Sequence, residues 1–283
     1  MKRVMLLALA MLMLLTLSAL AEEEVVSIPS PGGWEIPATV SMPDGEGPFP
    51  FVVMFHGTGS TRDEAGDGYK MLAPKLAEAG IASIRFDFVG FGDSTGDSKN
   101  YTYTSGMNDG IACIEYMQSL PQIAGERVGV LGWSQGGSVA MLTAGRYLDG
   151  AGIKSMVTWA GAVDMSFYEA DKYDEAAENG YAVWEFDWRD PVETSLAWYD
   201  EVRSIDLAEE LKNYKGAALA IAGTEDDVVP LGDLDTITGA CPGEKVEKWL
   251  LEGADHTYCV FTGDLSIYDQ LAEKTVQWYA DTL

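Results

Sequence analysis

The residues best able to do chemistry in this chain are one serine, two histidines and a run of carboxylates. Gly132-Trp133-Ser134-Gln135-Gly136 has the pattern G-x-S-x-G. It follows the apolar run Val128–Leu131 and opens a stretch of helical periodicity, Gly137–Tyr147. A serine on a tight strand-to-helix turn is lifted clear of the sheet, and flanking glycines let the backbone turn that sharply. The start of the following helix favours negative charge developing there. The pentapeptide alone is a weak signal, because small residues recur by chance. Its place between a strand and a helix makes Ser134 the candidate nucleophile for acyl transfer. A serine hydroxyl needs a base to take its proton. The chain holds only His56 and His256, so an imidazole base must be one of these two.

His56 lies in His56-Gly57-Thr58-Gly59, directly after the apolar run Phe51–Phe55. That place suits a loop whose backbone amides face a substrate oxygen, with His56 as the side chain that fixes the loop. His256 lies in Gly253-Ala254-Asp255-His256-Thr257, after the run Lys245–Leu251 and before the helical stretch Ser266–Thr282. Loops at the carboxyl ends of parallel strands are where such sheets present functional groups, so His256 is the expected general base. The acid that orients it should fall between serine and histidine in the chain. Glu225, Asp226 and Asp227, after the apolar run Ala217–Ala222, all compete for that place.

These groups need a scaffold, and the hydrophobic pattern supplies one. Val25–Ile28 and Ile36–Ser41 flank Pro31-Gly32-Gly33 and predict a hairpin. Phe51–Phe55, Ala82–Phe86, Val128–Leu131, Ser155–Ala160, Ala217–Ala222 and Lys245–Leu251 are apolar runs bounded by glycine or polar residues. Apolar runs without alternation suit strands covered on both faces. Tyr69–Ala79, Ser105–Ser119, Gly137–Tyr147 and Ser266–Thr282 carry helical periodicity between them. The expectation is an α/β fold with a mostly parallel, doubly wound, eight-stranded sheet. One connection is too long, running from about Ala160 to Ala217. Nine aromatics fall within residues 162–203, which points to an inserted cap at about 162–212.

The amino terminus has a different character. Met1-Lys2-Arg3 precedes an apolar run from Val4 to Leu17, and Ser18-Ala19-Leu20-Ala21 offers a small-residue cleavage pattern. Residues 1–21 are therefore expected to be a secretory signal peptide, and residues 22–283 a secreted or extracytoplasmic domain, free of the membrane after cleavage. The 283-residue chain carries 45 acidic against 18 basic residues, a formal charge of −27. So acidic a surface repels phosphate backbones and anionic lipid, which argues against nucleic-acid and membrane-surface partners. Cys113, Cys241 and Cys259 have no metal-ligand spacing, so no metal or cofactor is expected. Strand Lys245–Leu251 lies between Cys241 and Cys259, and its length opposes a disulfide between them.

The ordered set of His56-Gly57-x-Gly59, the Arg85–Ser94 turn, the serine elbow, Gly223-x-x-Asp226-x-Val-Val-Pro230 and Gly253-Ala254-Asp255-His256 resembles the bacterial cinnamoyl (feruloyl) esterase-like group of α/β hydrolases. The resemblance spans nearly all of residues 25–282. It implies the α/β-hydrolase fold and singles out Asp226 as the acid. It places the oxyanion hole at the backbone amides of Thr58 and Gln135, although the group commonly has an apolar or aromatic residue where Thr58 stands. Asp87 and Asp93 organise the glycine-rich turn in this view. The expected activity is that of a serine carboxylesterase acting through an acyl-enzyme on a small-molecule or oligosaccharide ester. Hydroxycinnamate esters of plant polysaccharide are the candidate substrate. Trp184, Phe186, Trp188 and Trp198 are expected to line the substrate pocket and to favour small to aromatic neutral esters. The alternatives are a peptidase or short-chain lipase on the same fold, or a binding module that has kept the fold without catalysis.

Overall fold

The computed structural model describes residues 22–147, 152–166 and 170–283. The expected signal peptide, residues 1–21, lies outside them. Strands β1 (Glu22–Pro29) and β2 (Glu35–Met42) form the opening hairpin, with Ile28 opposite Ile36. Then come β3 (Phe49–Phe55), helix α1 (Gly68–Glu78), β4 (Ala82–Phe86), α2 (Tyr103–Gln118), β5 (Ile123–Trp133), α3 (Gln135–Arg146) and β6 (Ser155–Trp159). After β6 the chain forms α4 (Ala170–Asn179), a two-stranded hairpin of β7 (Tyr181–Phe186) and β8 (Arg189–Ser195), α5 (Leu196–Ser204) and α6 (Leu207–Leu211). It returns through β9 (Ala217–Gly223), α7 (Gly232–Ala240), β10 (Val246–Leu251) and α8 (Ser266–Thr282). Sequence patterning finds the eight main strands but not the β7–β8 hairpin or helices α4 to α7.

The main sheet has the order β1-β2-β4-β3-β5-β6-β9-β10. Only the hairpin and the β2–β4 pair are antiparallel. This is the α/β-hydrolase fold. Burial on both faces explains the unbroken apolar runs. In β3, Phe51, Val53 and Phe55 enter the core beneath α2 and α3, while Val52 and Met54 enter the core beneath α1 and α8. Each such side chain contributes about 1.5–3 kcal/mol by leaving water. The polar replacements that alternation would allow on a half-exposed strand are excluded here.

The chain leaves β3 toward β4 on one side and later enters β5 on the other. The β3 and β5 carboxyl ends thus flank the point where the winding reverses, the usual place for a ligand crevice. The loops holding His56, Ser134, Asp226 and His256 follow β3, β5, β9 and β10, which with β6 between β5 and β9 run parallel side by side in the sheet. The carboxyl ends of these strands therefore collect them.

Candidate active site

Ser134 sits at φ 53°, ψ −124°, between the last residue of β5 and the first of α3. An L-residue adopts this conformation only under constraint. The constraint is visible in the backbone. Ser134 N–H donates to Trp159 O at 2.8 Å, and Ser134 O accepts from Gly137 N–H at 2.8 Å. The glycines of the motif are required by proximity. A Cβ on Gly132 would stand 2.2 Å from Gly136 O, and one on Gly136 would stand 2.0 Å from Phe55 O. Nothing larger than hydrogen fits where β3 passes the start of α3. The half-buried Ser134 side chain faces a cavity of about 1220 Å³ and makes no hydrogen bond among the described residues.

His256 lines the same cavity. Its Nδ1 lies 3.0 Å from Asp226 Oδ2 and 3.2 Å from Oδ1. Asp226 Oδ1 also accepts the N–H groups of Val228 and Val229, at 2.9 and 3.0 Å. The Asp226 side chain is fully buried, while that of His256 is 17% exposed. Burial alone would push the Asp226 carboxyl up. The hydrogen bond and charge of His256, with the two backbone donors, outweigh it and hold the group below its ordinary value. An ionised Asp226 accepts the Nδ1 proton, which leaves the Nε2 lone pair free to act as a base. Glu225 and Asp227, the other two carboxylates, make no contact with His256 among the hydrogen bonds of this loop.

The loop bearing His256 is held from two sides. Trp133 Nε1 donates to His256 O at 3.1 Å, so the residue before the serine grips the histidine backbone. Asp255 Oδ1 accepts from Thr257 N–H, Thr257 Oγ1 and Cys259 N–H at 2.8–2.9 Å. Cys241 and Cys259 are both free thiols.

Thr58 lines the cavity within a turn closed by Ser60 N–H to Gly57 O at 3.2 Å. Its N–H has no partner among the hydrogen bonds of the described residues. Gln135 is the first residue of α3, where helix N–H groups lack intrahelical acceptors. The His56 ring accepts the Phe88 N–H at Nε2, 3.1 Å away, so its proton must sit on Nδ1, which donates to Gly57 O at 2.8 Å. Burial lowers its pKa to about 4, a shift that Asp87 and Gly57 only partly offset. His56 is a neutral tether between two loops. Asp87 accepts the Arg62 and Asp93 backbone N–H groups, and Arg62 pairs with both Asp87 and Asp93. These carboxylates fold the glycine-rich turn.

Trp184, Phe186 and Trp188 line the cavity from the β7–β8 hairpin. Phe186 lies over the turn after His56, close enough that a Cβ on Gly59 would stand 3.0 Å from its ring. Trp198 does not reach the cavity. It is 1% exposed and packs behind Trp184, edge to face at 5.2 Å, against Tyr103 and Tyr199. Helix α5 turns its Trp198–Tyr199–Val202 face inward toward α2, which removes this tryptophan from the pocket wall.

Glu64 is the cavity residue that sequence patterning misses. It lies in Ser60-Thr61-Arg62-Asp63-Glu64, which reads as an ordinary polar loop. It is buried at φ 65°, ψ 176°, and its Oε2 accepts the Gly57 N–H at 2.5 Å. Among the described residues, no group of three His, Cys, Asp or Glu is placed to hold a metal.

Residues 93–263 match the prolyl oligopeptidase family. The chain belongs to that family. Among curated relatives, a 2,6-dihydropseudooxynicotine hydrolase of Paenarthrobacter nicotinovorans is 25% identical over 244 residues, covering 79% of this chain and 57% of the relative. An esterase FrsA of Enterobacter sp. strain 638 is 30% identical over 131 residues, 46% of this chain and 30% of that one. This chain thus spans little more than half of the first relative and less of the second. Among solved structures, Est1E of Butyrivibrio proteoclasticus with bound ferulic acid has a TM-score of 0.74 at 18% identity, over 91% of this chain and 98% of that one. The DcsB complex with its substrate analogue has a TM-score of 0.75 at 16% identity, over 93% and 100%. Likeness at such identity speaks for the fold. With the family match, this prolyl oligopeptidase family member is an α/β hydrolase.

Proposed function

We propose that this family member is a serine hydrolase that cleaves carboxylic esters through an acyl-enzyme, with Ser134 as nucleophile, His256 as general base and Asp226 as the acid orienting it. The observation that carries the reading is Ser134 on a strained turn, facing a cavity that is also lined by His256, whose Nδ1 is bonded to the buried Asp226. His256 Nε2 takes the Ser134 proton as Oγ bonds to the ester carbonyl carbon. The N–H groups of Thr58 and Gln135 hold the resulting oxyanion. The tetrahedral adduct collapses, His256 returns the proton to the leaving alkoxide, and the alcohol departs. Water then attacks the acyl-enzyme by the same route and releases the acid.

Trp184, Phe186 and Trp188 supply flat apolar surface beside the nucleophile, which favours an aromatic acyl group such as a hydroxycinnamate. The amino-terminal pattern supports export, with action outside the cytoplasm on a small-molecule or oligosaccharide ester. The test is labelling of Ser134 by an active-serine phosphonate, combined with turnover of acetyl, feruloyl and long-chain esters and of a proline-containing peptide amide. Labelling with feruloyl turnover is the expected result. Peptide cleavage without ester turnover would replace the esterase with a peptidase. Absence of labelling would leave a binding module.

A further inference from the structure

Glu64 is held in a state that nothing in the turn itself requires. Its φ of 65° and ψ of 176° lie in a region essentially reserved for glycine. Its side chain is buried, and no lysine or arginine pairs with it among the described residues. A buried carboxylate without a cation is unfavourable unless hydrogen bonds compensate. Here Oε2 accepts the Gly57 N–H at 2.5 Å and Oε1 accepts the Ala65 N–H at 3.0 Å. Gly57 is the residue before Thr58. A Cβ built on it would lie 3.5 Å from Ser134 Cβ and 3.7 Å from Glu64 Oε1. The carboxylate is thus one glycine away from the nucleophile. Strain, burial and missing charge compensation coincide at one residue of the catalytic cavity.

We propose that Glu64 is a positioning residue: its carboxylate, by accepting the Gly57 N–H, holds the 57–60 turn so that the Thr58 N–H faces the substrate oxygen. The proposal rests on the acyl-transfer reading and adds a residue to it. Reversing the orientation of the Gly57 peptide would release that bond, and the turn that presents Thr58 would go with it. The groups facing Glu64 are His256 across the cavity, Tyr69 on α1, whose hydroxyl is bonded to Phe55 O, and the Ser60 hydroxyl. Its neighbour Asp63 is engaged with Arg85. Burial pushes the Glu64 carboxyl up to about 7, against its hydrogen bonds and the charge of His256. Near neutral pH the protonated form becomes populated, and a carboxylic acid is a poorer acceptor for Gly57 than a carboxylate. Full activity then depends on a deprotonated Glu64.

The experiment uses the full chain, a neutral aryl acetate and the variant Glu64→Gln, whose amide cannot accept from both Gly57 and Ala65. The expected loss in kcat is about 10- to 100-fold, somewhat less than removal of an oxyanion donor, with KM changed by less than about 3-fold. As pH falls and Glu64 takes up its proton, the wild type should lose the advantage that the carboxylate confers, so the ratio of wild-type to Glu64→Gln kcat/KM should fall toward 1 below about pH 7. A Glu64→Gln enzyme with wild-type kcat and an unchanged acid limb overturns the proposal. So does a ratio that stays constant between about pH 8 and pH 5; where Glu64→Gln does not fold, Glu64→Asp, whose shorter side chain withdraws the carboxylate from Gly57, carries the same test. A wild type that neither takes a phosphonate label nor turns over the ester overturns acyl transfer itself, whereas a turning-over wild type with an unaffected variant overturns only the role of Glu64.

Discussion

Glu64 and His56 should bend the pH dependence of stability in opposite directions, and single variants should separate them. The Glu64 carboxyl rises from its ordinary 4.5 to about 7 on folding, mainly through burial. Its contribution is fully present below pH 4.5 and is lost as pH rises to about 7. The shift corresponds to about 3 kcal/mol at 1.36 kcal/mol per unit. His56 falls from 6.5 to about 4, again mainly through burial. Protonating it would also set an Nε2 proton against the Phe88 N–H. Its contribution is present above pH 6.5 and is lost as pH falls to about 4, also about 3 kcal/mol. In the wild type the two nearly cancel between pH 4.5 and 6.5. Glu64→Gln should therefore lose about 3 kcal/mol relative to wild type between pH 7 and pH 4.5, and His56→Gln should gain about as much. Any constant cost of either substitution drops out of these differences, as does the titration of the other carboxylates. Urea unfolding followed by tryptophan fluorescence at both pH values measures them. A Glu64→Gln curve parallel to wild type would refute the burial argument for that site.

Ser134→Ala and His256→Ala should each lower kcat by about 10⁴ or more without unfolding the chain, and Asp226→Asn should cost less than either. Asp227→Asn as the damaging change would move the acid by one residue. Ser134→Gly should abolish turnover yet raise the unfolding midpoint by relieving φ 53°, a gain on the order of 1 kcal/mol. In unreduced protein, mass spectrometry should find no Cys241–Cys259 linkage, and a thiol reagent should modify half-buried Cys259 before buried Cys113 and Cys241. Trp198→Ala should cost about 3–5 kcal/mol of stability with little change in selectivity. Trp188→Ala, at a site 72% exposed, should spare stability and weaken kcat/KM on a feruloyl ester more than on an acetyl ester.

Much of the scaffold was legible because its causes are local or periodic. Phe51–Phe55 reads as a doubly covered strand because five apolar residues in succession have no other stable place in water. The serine elbow was legible because glycine at 132 and 136 marks backbone contact too close for a Cβ. With only two histidines in the chain, the sequence alone narrows the base to one of two residues. The expected Gly137–Tyr147 helix became Gln135–Arg146, while the expected strand Val128–Leu131 runs from Ile123 to Trp133. The segment between β6 and β9 was less legible. Its two strands, Tyr181–Phe186 and Arg189–Ser195, bury their residues without strict alternation, so the sequence carries little strand periodicity there.

The distinction is sharpest among residues of one type. Sequence alone offered three adjacent carboxylates at 225–227, and Trp184, Phe186, Trp188 and Trp198 in the cap, with no local property to rank them. Asp226 meets His256 because β9 and β10 pair in parallel, with Leu251 beside Gly223, which brings the two following loops together across 30 residues of chain. Trp198 and Trp188 part company because one faces α2 and the other the cavity mouth. Glu64 gave no sign at all, since a glutamate in a polar loop looks solvated until the fold closes over it. The sequence by itself determined the elements, their order and the residue types on hand, because steric fit and hydrogen bonding within a few residues decide those. Only the tertiary structure decided which carboxylate orients the imidazole, which is buried against the loop and which aromatics face the cavity. Those outcomes depend on distances between segments far apart in the chain, and on the water that packing removes from between them.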